Sequence, residues 1–436
     1  MDRSERSAYY SLVTIFIASI SAIAFFIDRS QSFVLGIAYF SAFFSYFWVV
    51  KFHSSEKLLL PIGILVRLFF FLSLPNLSDD VFRFIWDGRL LANGMDPYSN
   101  IPQFYVNRGN EVNGLSLSLF EKLNSPLYYS VYPPLNQLIF WISSFGGESL
   151  LFSTNIIRAF ILAAEIASFF LLKKILMQHQ KSEQLAFWFF LNPLVLLEFT
   201  GNLHFEAIVI FFLLLGFYLL GKNKNISSGA VLGGAIATKL LPLIFLPAIL
   251  FKWKWKKGFI ISLISFTVAV LTFLPLISSD LLTNIQKSLG LYFQSFEFNA
   301  SIYFLIREIG FYIKGYNIIG VLGPALSVGT IVSIMIISIY GSIKKWKIEK
   351  TTLVILSVYL FFSTTVHPWY ILTLIPIGLL SGYYFPVFWS LIVFVTYFGY
   401  NKTGFELSGS WIVFEYASLF LFICIELLYR KHEPIH

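Results

Sequence analysis

The run Leu77-Ser78-Asp79-Asp80-Val81-Phe82-Arg83-Phe84-Ile85-Trp86-Asp87-Gly88-Arg89 sets two adjacent carboxylates ahead of an arginine, a third acid and a second arginine. On a helix, Asp80, Arg83 and Asp87 share one face. A carboxylate so placed can act as a general base, and an arginine beside it can hold a phosphate. The same spacing describes a capped helix, with Ser78 or Asp79 as N-cap and acids favoured by the helix dipole. Spacing alone leaves both readings open. Ala92-Asn93-Gly94-Met95-Asp96-Pro97-Tyr98 follows, with Gly94 and Pro97 marking a turn, and Tyr132-Pro133-Pro134 comes later.

Four further groups carry polar chemistry. After Asn192-Pro193-Leu194 and Glu198, the segment Gly201-Asn202-Leu203-His204-Phe205-Glu206 puts His204 and Glu206 in a tight turn between two apolar runs. A lone histidine at a membrane edge is commonly an interface residue, yet polar groups at such depth are functional suspects. Lys239, within Ala237-Thr238-Lys239-Leu240-Leu241-Pro242, needs an anion, a water-filled cavity, or a route to snorkel to the interface. Phe296-Glu297-Phe298-Asn299-Ala300-Ser301-Ile302-Tyr303 adds Asn299. Thr365-Val366-His367-Pro368-Trp369-Tyr370 suits either an aromatic cleft for a sugar or lipid phosphate, or an interface belt.

The elements that must position these residues follow from composition. Of 436 residues, 57% are hydrophobic and 12% charged, against about 25% charged in soluble domains. Lipid is therefore the natural solvent. Phe occurs 50 times, with 10 Trp and 23 Tyr, rings suited to lipid-facing surfaces and interface belts. The single cysteine, Cys424, allows no internal disulfide and no cysteine-based metal site. The net charge of +8 lies in short clusters between apolar runs, which argues against nucleic acid as partner.

Apolar runs near 8–27, 33–50, 58–75, 150–172, 184–200, 205–220, 258–277, 317–341, 352–366, 369–383, 385–400 and 411–428 are long enough to span. The first follows Arg3 and Arg6 without a cleavage site and is expected to remain as a span. The stretch 228–251, broken by Lys239 and Pro242, predicts a hairpin of short helices, and 134–146 a re-entrant or interfacial helix. The expected fold is an all-α polytopic transmembrane bundle, one integral membrane domain over 1–436, with about 12–14 spans. With the N-terminus in the cytoplasm, 19 of the 31 Lys and Arg residues fall on cytoplasmic ends and 9 outside. Arg67, Arg158 and Lys239 remain within spans. That asymmetry sets the orientation, provided 134–146 does not cross. Both termini are then cytoplasmic, and 76–133 forms a long first extracytoplasmic loop, with 278–316 a second outer segment. No Walker or Rossmann glycine pattern occurs in the short basic cytoplasmic segments. Asp79, Asp80, His204, Glu206, Asn299 and His367 are expected to converge on one outward-facing cavity.

In the same order along roughly 58–400, these landmarks resemble a known family. The Asp-Asp-Val-Phe-Arg-Phe-Ile-Trp-Asp-Gly-Arg run with Asn-Gly-x-Asp-Pro-Tyr is similar to the first-loop signature of bacterial polytopic mannosyltransferases of the C-type glycosyltransferase (GT-C) superfamily. Tyr132-Pro133-Pro134, Asn192-Pro193, the Gly-Asn-x-His-x-Glu turn, Lys239-Leu-x-Pro242, Phe298-Asn299-Ala300-Ser301 and His367-Pro368-Trp369-Tyr370 resemble its later landmarks. The resemblance implies transfer of a hexose, with mannose foremost, from a polyprenyl-phosphate carrier to a hydroxyl on a glycolipid or glycan. The resemblance also implies inversion, and transfer on the outer face of the bacterial cytoplasmic (inner) membrane. It implies Asp80 as the catalytic carboxylate, with Asp79 the close alternative. It makes Arg83, Arg89 and Lys239 candidates for the donor phosphate. Asp87 and Asn299 join the substrate-binding set, and His204, Glu206, His367, Trp369 and Tyr370 are candidates for sugar or phosphate contacts. No cofactor is implied, although a divalent metal at the acid and histidine residues is conceivable. Phe84 stands where the family often has Tyr, and Glu206 where Asp is common, which bears on sugar specificity. A polytopic lipid or oligosaccharide transporter, or flippase, is the competing reading. It would place ionisable groups near the midplane on broken helices, a pattern only Lys239 and Pro242 match.

Overall fold

The computed structural model describes residues 3–52, 56–107, 112–253, 255–294, 296–402 and 404–432. Arg108 and Lys254, both counted in the charge tally, lie outside the described residues. Among the described residues the chain is mostly helical and has almost no strand. Strand pairing is confined to the antiparallel hairpin Tyr400–Asn401 with Gly404–Phe405 and one parallel bridge, Phe298 to Thr365. Among the described residues six helices are long and apolar enough to cross a membrane: Glu5–Phe25, Ser32–Phe52, Leu150–Gln178, Lys256–Leu276, Ile319–Ile343 and Gly409–Arg430. The bent pair Glu183–Phe190 and Pro193–Gly201 brings that to seven. The remaining expected spans are shorter or broken helices, among them Glu206–Gly221, Leu241–Lys252, Pro368–Ser381 and Phe385–Gly399. Broken helices are tolerated in a bilayer where neighbouring protein re-satisfies the freed backbone groups.

Polar contacts define two ends of the bundle. At one, Lys173 pairs with Glu56 and, at 3.3 Å, with Glu183. There His179 lies 3.5 Å from Glu349, Lys181 donates to the carbonyls of Leu379 and Leu380, Lys252 to that of Trp346, and Arg430 to that of Gly382. At the other end Arg29 meets Asp79, the Leu77 amide donates to Asn202, and Phe298 pairs with the 364–366 segment. The basic clusters expected inside gather at the first end, and the suspected chemical groups at the second. The segment 134–146 folds as the helix Pro134–Ser143 and one further turn. Ten residues rise only about 15 Å, too little to cross.

The bent pair shows why a helix breaks here. Pro193 has no amide hydrogen, and Asn192 caps the second half by accepting from the amides of Leu194 and Val195. The chain then widens into a π-helical turn, Leu196–Gly201. Its loose carbonyls are caught from the neighbouring helix: Arg158 donates to the Thr200 carbonyl at 2.8 Å and to that of Gly201 at 3.4 Å. Arg67 donates to the carbonyl of Phe190 at 2.8 Å and to Glu165 at 2.7 Å, with both side chains fully buried, and Glu165 also accepts from the Thr200 hydroxyl. Removing one member of such a pair strands a charge. Arg67→Leu is therefore expected to lower stability by about 3 kcal/mol, read as a drop in thermal midpoint of the detergent-solubilised protein. Arg67→Leu combined with Glu165→Leu should recover most of that loss.

Candidate active site

The site is built on the helix Asp80–Ala92, in which every residue from Val81 to Leu90 is buried. Glycine at position 88 is required: a β-carbon there would meet the Phe140 carbonyl oxygen at 2.0 Å, so the helix crosses Pro134–Ser143 in close contact. Asp79 occupies the N-cap position, but its side chain makes no capping bond. It turns instead to Arg29, at 2.5 Å. Asp80, the first helical residue, accepts from Asn124 Nδ2 at 2.7 Å through Oδ1, and its Oδ2 lies 4.0 Å from His204 Nδ1. Its side chain keeps 22% of its surface exposed. The two adjacent acids thus have different surroundings: Asp79 is neutralised by an arginine, while Asp80 is held by a neutral amide.

Below them the π turn presents Glu198, fully buried. Glu198 Oε1 accepts from the Tyr397 hydroxyl at 2.5 Å, and Oε2 accepts from Asn202 at 3.0 Å. His204 Nε2 stands 3.2 Å from the same Oε2 but is not aligned with it for a hydrogen bond, and this buried nitrogen makes none among the described residues. The Leu203 backbone, at φ 67°, reverses the chain so that His204 faces Asp80 on one edge and Glu198 on the other. The His204 ring stacks on Trp369 at 3.8 Å, and His367 stacks on Trp369 at 4.4 Å. Two imidazoles so near one indole centroid cannot lie side by side, so they take opposite faces. The column continues from His367 to Phe298 at 4.3 Å and from Phe298 to Phe405 at 4.7 Å. Five rings from four chain segments form one column, stacked except where Phe298 tilts by 37° against His367. Burial, with His204 and Lys239 nearby, holds the His367 imidazole well below its ordinary pKa, so it is neutral.

Lys239 ends the helix Asn225–Thr238 in an extended conformation, where the chain breaks before Pro242. It pairs with Glu206, and its ammonium sits 4.1 Å from the centre of the Tyr370 ring. Its side chain is 30% exposed, that of Glu206 6%. Lys239 is thus a paired cation with an open side.

The other candidates are placed differently. Arg83 bonds Asp87 at 2.8 Å and donates to the carbonyls of Ser125 and Tyr128. Asp87 also accepts from Ser130 at 2.5 Å and Gln137 at 3.1 Å. Arg89 donates to the carbonyls of Gly114, Gly147 and Glu148. All three are buried and spend their hydrogen bonds tying 112–148 to the helix. Asn299, at φ 42°, donates to the buried Glu415 on the last helix at 2.9 Å, while its own carbonyl accepts from Tyr416. Its neighbour Phe298 joins the ring column. In the same segment burial favours the neutral form of Glu297, but hydrogen bonds from Asn317, Tyr303 and Arg307 outweigh it and hold the carboxyl below its usual range.

Sequence reasoning passed over Arg29, Asn124, Tyr397 and Glu415, and noticed Glu198 without giving it a place. The arginine and the asparagine sit in unremarkable polar context. Tyr397 lies in an aromatic-rich run that spacing cannot divide. Glu198 and Glu415 did carry a signal: an acid inside an apolar run must find a partner.

A family model described as "Alpha-(1->6)-mannopyranosyltransferase, N-terminal domain" matches residues 30–255, just over half of the chain. That stretch contains Asp79, Asp80, Glu198, His204, Glu206 and Lys239, while His367, Trp369, Tyr370 and Tyr397 lie beyond it. The protein "Alpha-(1->6)-mannopyranosyltransferase A" of Mycobacterium tuberculosis (strain ATCC 25618 / H37Rv) is 25% identical over 187 residues. These cover 42% of this chain and 34% of that protein, so the chain spans about a third of that relative's length. On the family match, the chain belongs to the family of alpha-(1->6)-mannopyranosyltransferases defined by that N-terminal domain.

Proposed function

We propose that the chain transfers mannose from a polyprenyl-phosphate donor to a hydroxyl of a glycolipid or glycan acceptor, at the outer face of the bacterial cytoplasmic membrane, with inversion. The observation that carries this reading is the unequal pair at the head of the helix Asp80–Ala92. Arg29 occupies Asp79 at 2.5 Å, whereas Asp80 keeps a partly exposed carboxylate that accepts from the neutral Asn124 amide and lies 4.0 Å from His204. The Asp79 carboxylate is held by the Arg29 guanidinium, so Asp80 is the base and Asp79 its neighbour.

The reaction is one displacement. The acceptor oxygen attacks the anomeric carbon as its proton passes to Asp80. The bond from that carbon to the phosphate oxygen breaks, and the polyprenyl phosphate leaves as a dianion. It needs cations rather than an acid. Lys239 is the candidate, since its open side lets an arriving phosphate share it with Glu206. The reading uses no metal. A prenyl chain diffuses poorly through water, so the donor arrives sideways from lipid, along the exposed apolar helices Trp255–Phe273 and Ile319–Ile343. The charge asymmetry between the two ends supports the outward placement of the site and cytoplasmic termini.

In proteoliposomes supplied with radiolabelled decaprenyl-phosphate mannose, Asp80→Asn should reduce transfer by about 10²–10⁴-fold while the protein remains folded; a near-normal rate disproves the base, and a wild-type chain that forms no labelled product favours the transporter. Lys239→Ala should raise the KM for donor several-fold and leave that for acceptor within twofold. Sidedness is read in a Cys424→Ser background. Asn124→Cys, exposed beside Asp80, should react with a membrane-impermeant thiol reagent on intact cells. Gln184→Cys, at the opposite end, should react only once the membrane is opened.

A further inference from the structure

We propose that His204 takes the proton from Asp80 after transfer, and that the buried Glu198 is the positioning residue that makes it do so. The inference rests on the reading of Asp80 as base and extends it to the step that resets the base. In that reading a protonated Asp80 is left at the end of each turnover. Imidazole is intrinsically the stronger base, by about 2.6 pKa units in water, and His204 Nδ1 is 4.0 Å from Asp80 Oδ2.

Three features suit His204 to this task. The stack on Trp369 holds the imidazole plane but permits rotation within it. Proton transfer requires the 4.0 Å gap to Asp80 to close, while on the opposite edge Nε2 already stands 3.2 Å from Glu198 Oε2. Nε2 is buried without a hydrogen-bond partner, so Glu198 is the acceptor that completes it. A hydrogen bond from Nε2–H to Glu198 fixes the tautomer and leaves Nδ1 as the lone-pair nitrogen facing Asp80. Glu198 in turn is locked by Tyr397 and Asn202.

The proton count closes. The acceptor O–H bond breaks and an O–H bond forms on Asp80. That bond then breaks as Nδ1–H forms, leaving an imidazolium beside the Glu198 carboxylate. The imidazolium releases its Nδ1 proton to water and the base is restored. The charged and titratable groups around His204 are Asp80, Glu198 and, across Trp369, the neutral His367, with the Lys239–Glu206 pair beyond. Of these, Glu198 and Asp80 stand within 4.0 Å of its ring nitrogens.

The test uses the full chain in proteoliposomes with radiolabelled decaprenyl-phosphate mannose and octyl α-mannoside as acceptor. Glu198→Gln and His204→Gln should each lower kcat by about 10²-fold, with both KM values within twofold of wild type. The double variant should be no slower than either single, because both act on one step. Glu198→Asp should restore part of the rate. A wild-type kcat in Glu198→Gln, or losses that multiply in the double variant, overturns the relay. If Glu198→Gln fails to accumulate in the membrane, His204→Gln leaves the Tyr397 and Asn202 bonds intact and gives the same kcat reading. Asp80→Asn run alongside separates the two failures. An active Asp80→Asn sinks the base itself, whereas an inactive Asp80→Asn with a fully active Glu198→Gln sinks only the relay.

Discussion

Every polar group inside a lipid-facing bundle must find its partner in the protein, because the bilayer offers none. The two arginines beneath the site meet that demand. Arg67 and Arg158 reach from two helices to the carbonyls of Phe190, Thr200 and Gly201, where the bent pair breaks and then widens. Those donors make the π turn affordable, and the π turn presents Glu198 to Asn202 and His204, the latter standing between Glu198 and Asp80. Glu165 balances Arg67 and fastens Thr200. The charges nearest the bundle's middle are thus supports for the site rather than a path through it, which sets the chain apart from a transporter.

The helix Asp80–Ala92 obeys the same rule from the other side. It is buried all round and polar on one face, so its charges are matched locally. Arg83 with Asp87, and Arg89 with three carbonyls, convert the following loop into a solid cap. Gly88 lets that cap press against the helix Pro134–Ser143. The motif therefore does two jobs within one short run. Its first two acids stand partly exposed at the head of the helix, and its later charges hold that helix in place. Preorganisation of this kind lets a carboxylate act without reorganising at the moment of reaction.

The ring column is the third support. Trp369 has both faces covered by histidines, so it serves to hold His204 and His367 in place. The column also couples the C-terminal half of the chain to residues contributed by the first half. Phe298 enters it because Asn299 is anchored to Glu415, and Phe405 because the hairpin at 400–405 folds over it. The segment matched by the family model therefore carries only part of the site.

Composition determined the solvent, the all-helical class and the separation of basic and chemical ends, because each is a property of residue counts along the chain. The Asp79-Asp80 run, the His204 turn and the Lys239-Pro242 break were legible for the same reason: charge within apolar sequence has few explanations. Only the tertiary structure decided what each charge does. Arg83 and Arg89, expected at a phosphate, face carbonyls 25 to 59 positions away, and Asn299 faces an acid 116 positions away. Arg29 and Tyr397, silent in the sequence, are the partners that hold Asp79 and Glu198. A side chain's role depends on the partner that satisfies it, and in a bundle that partner is set by which helices meet, which no local pattern encodes.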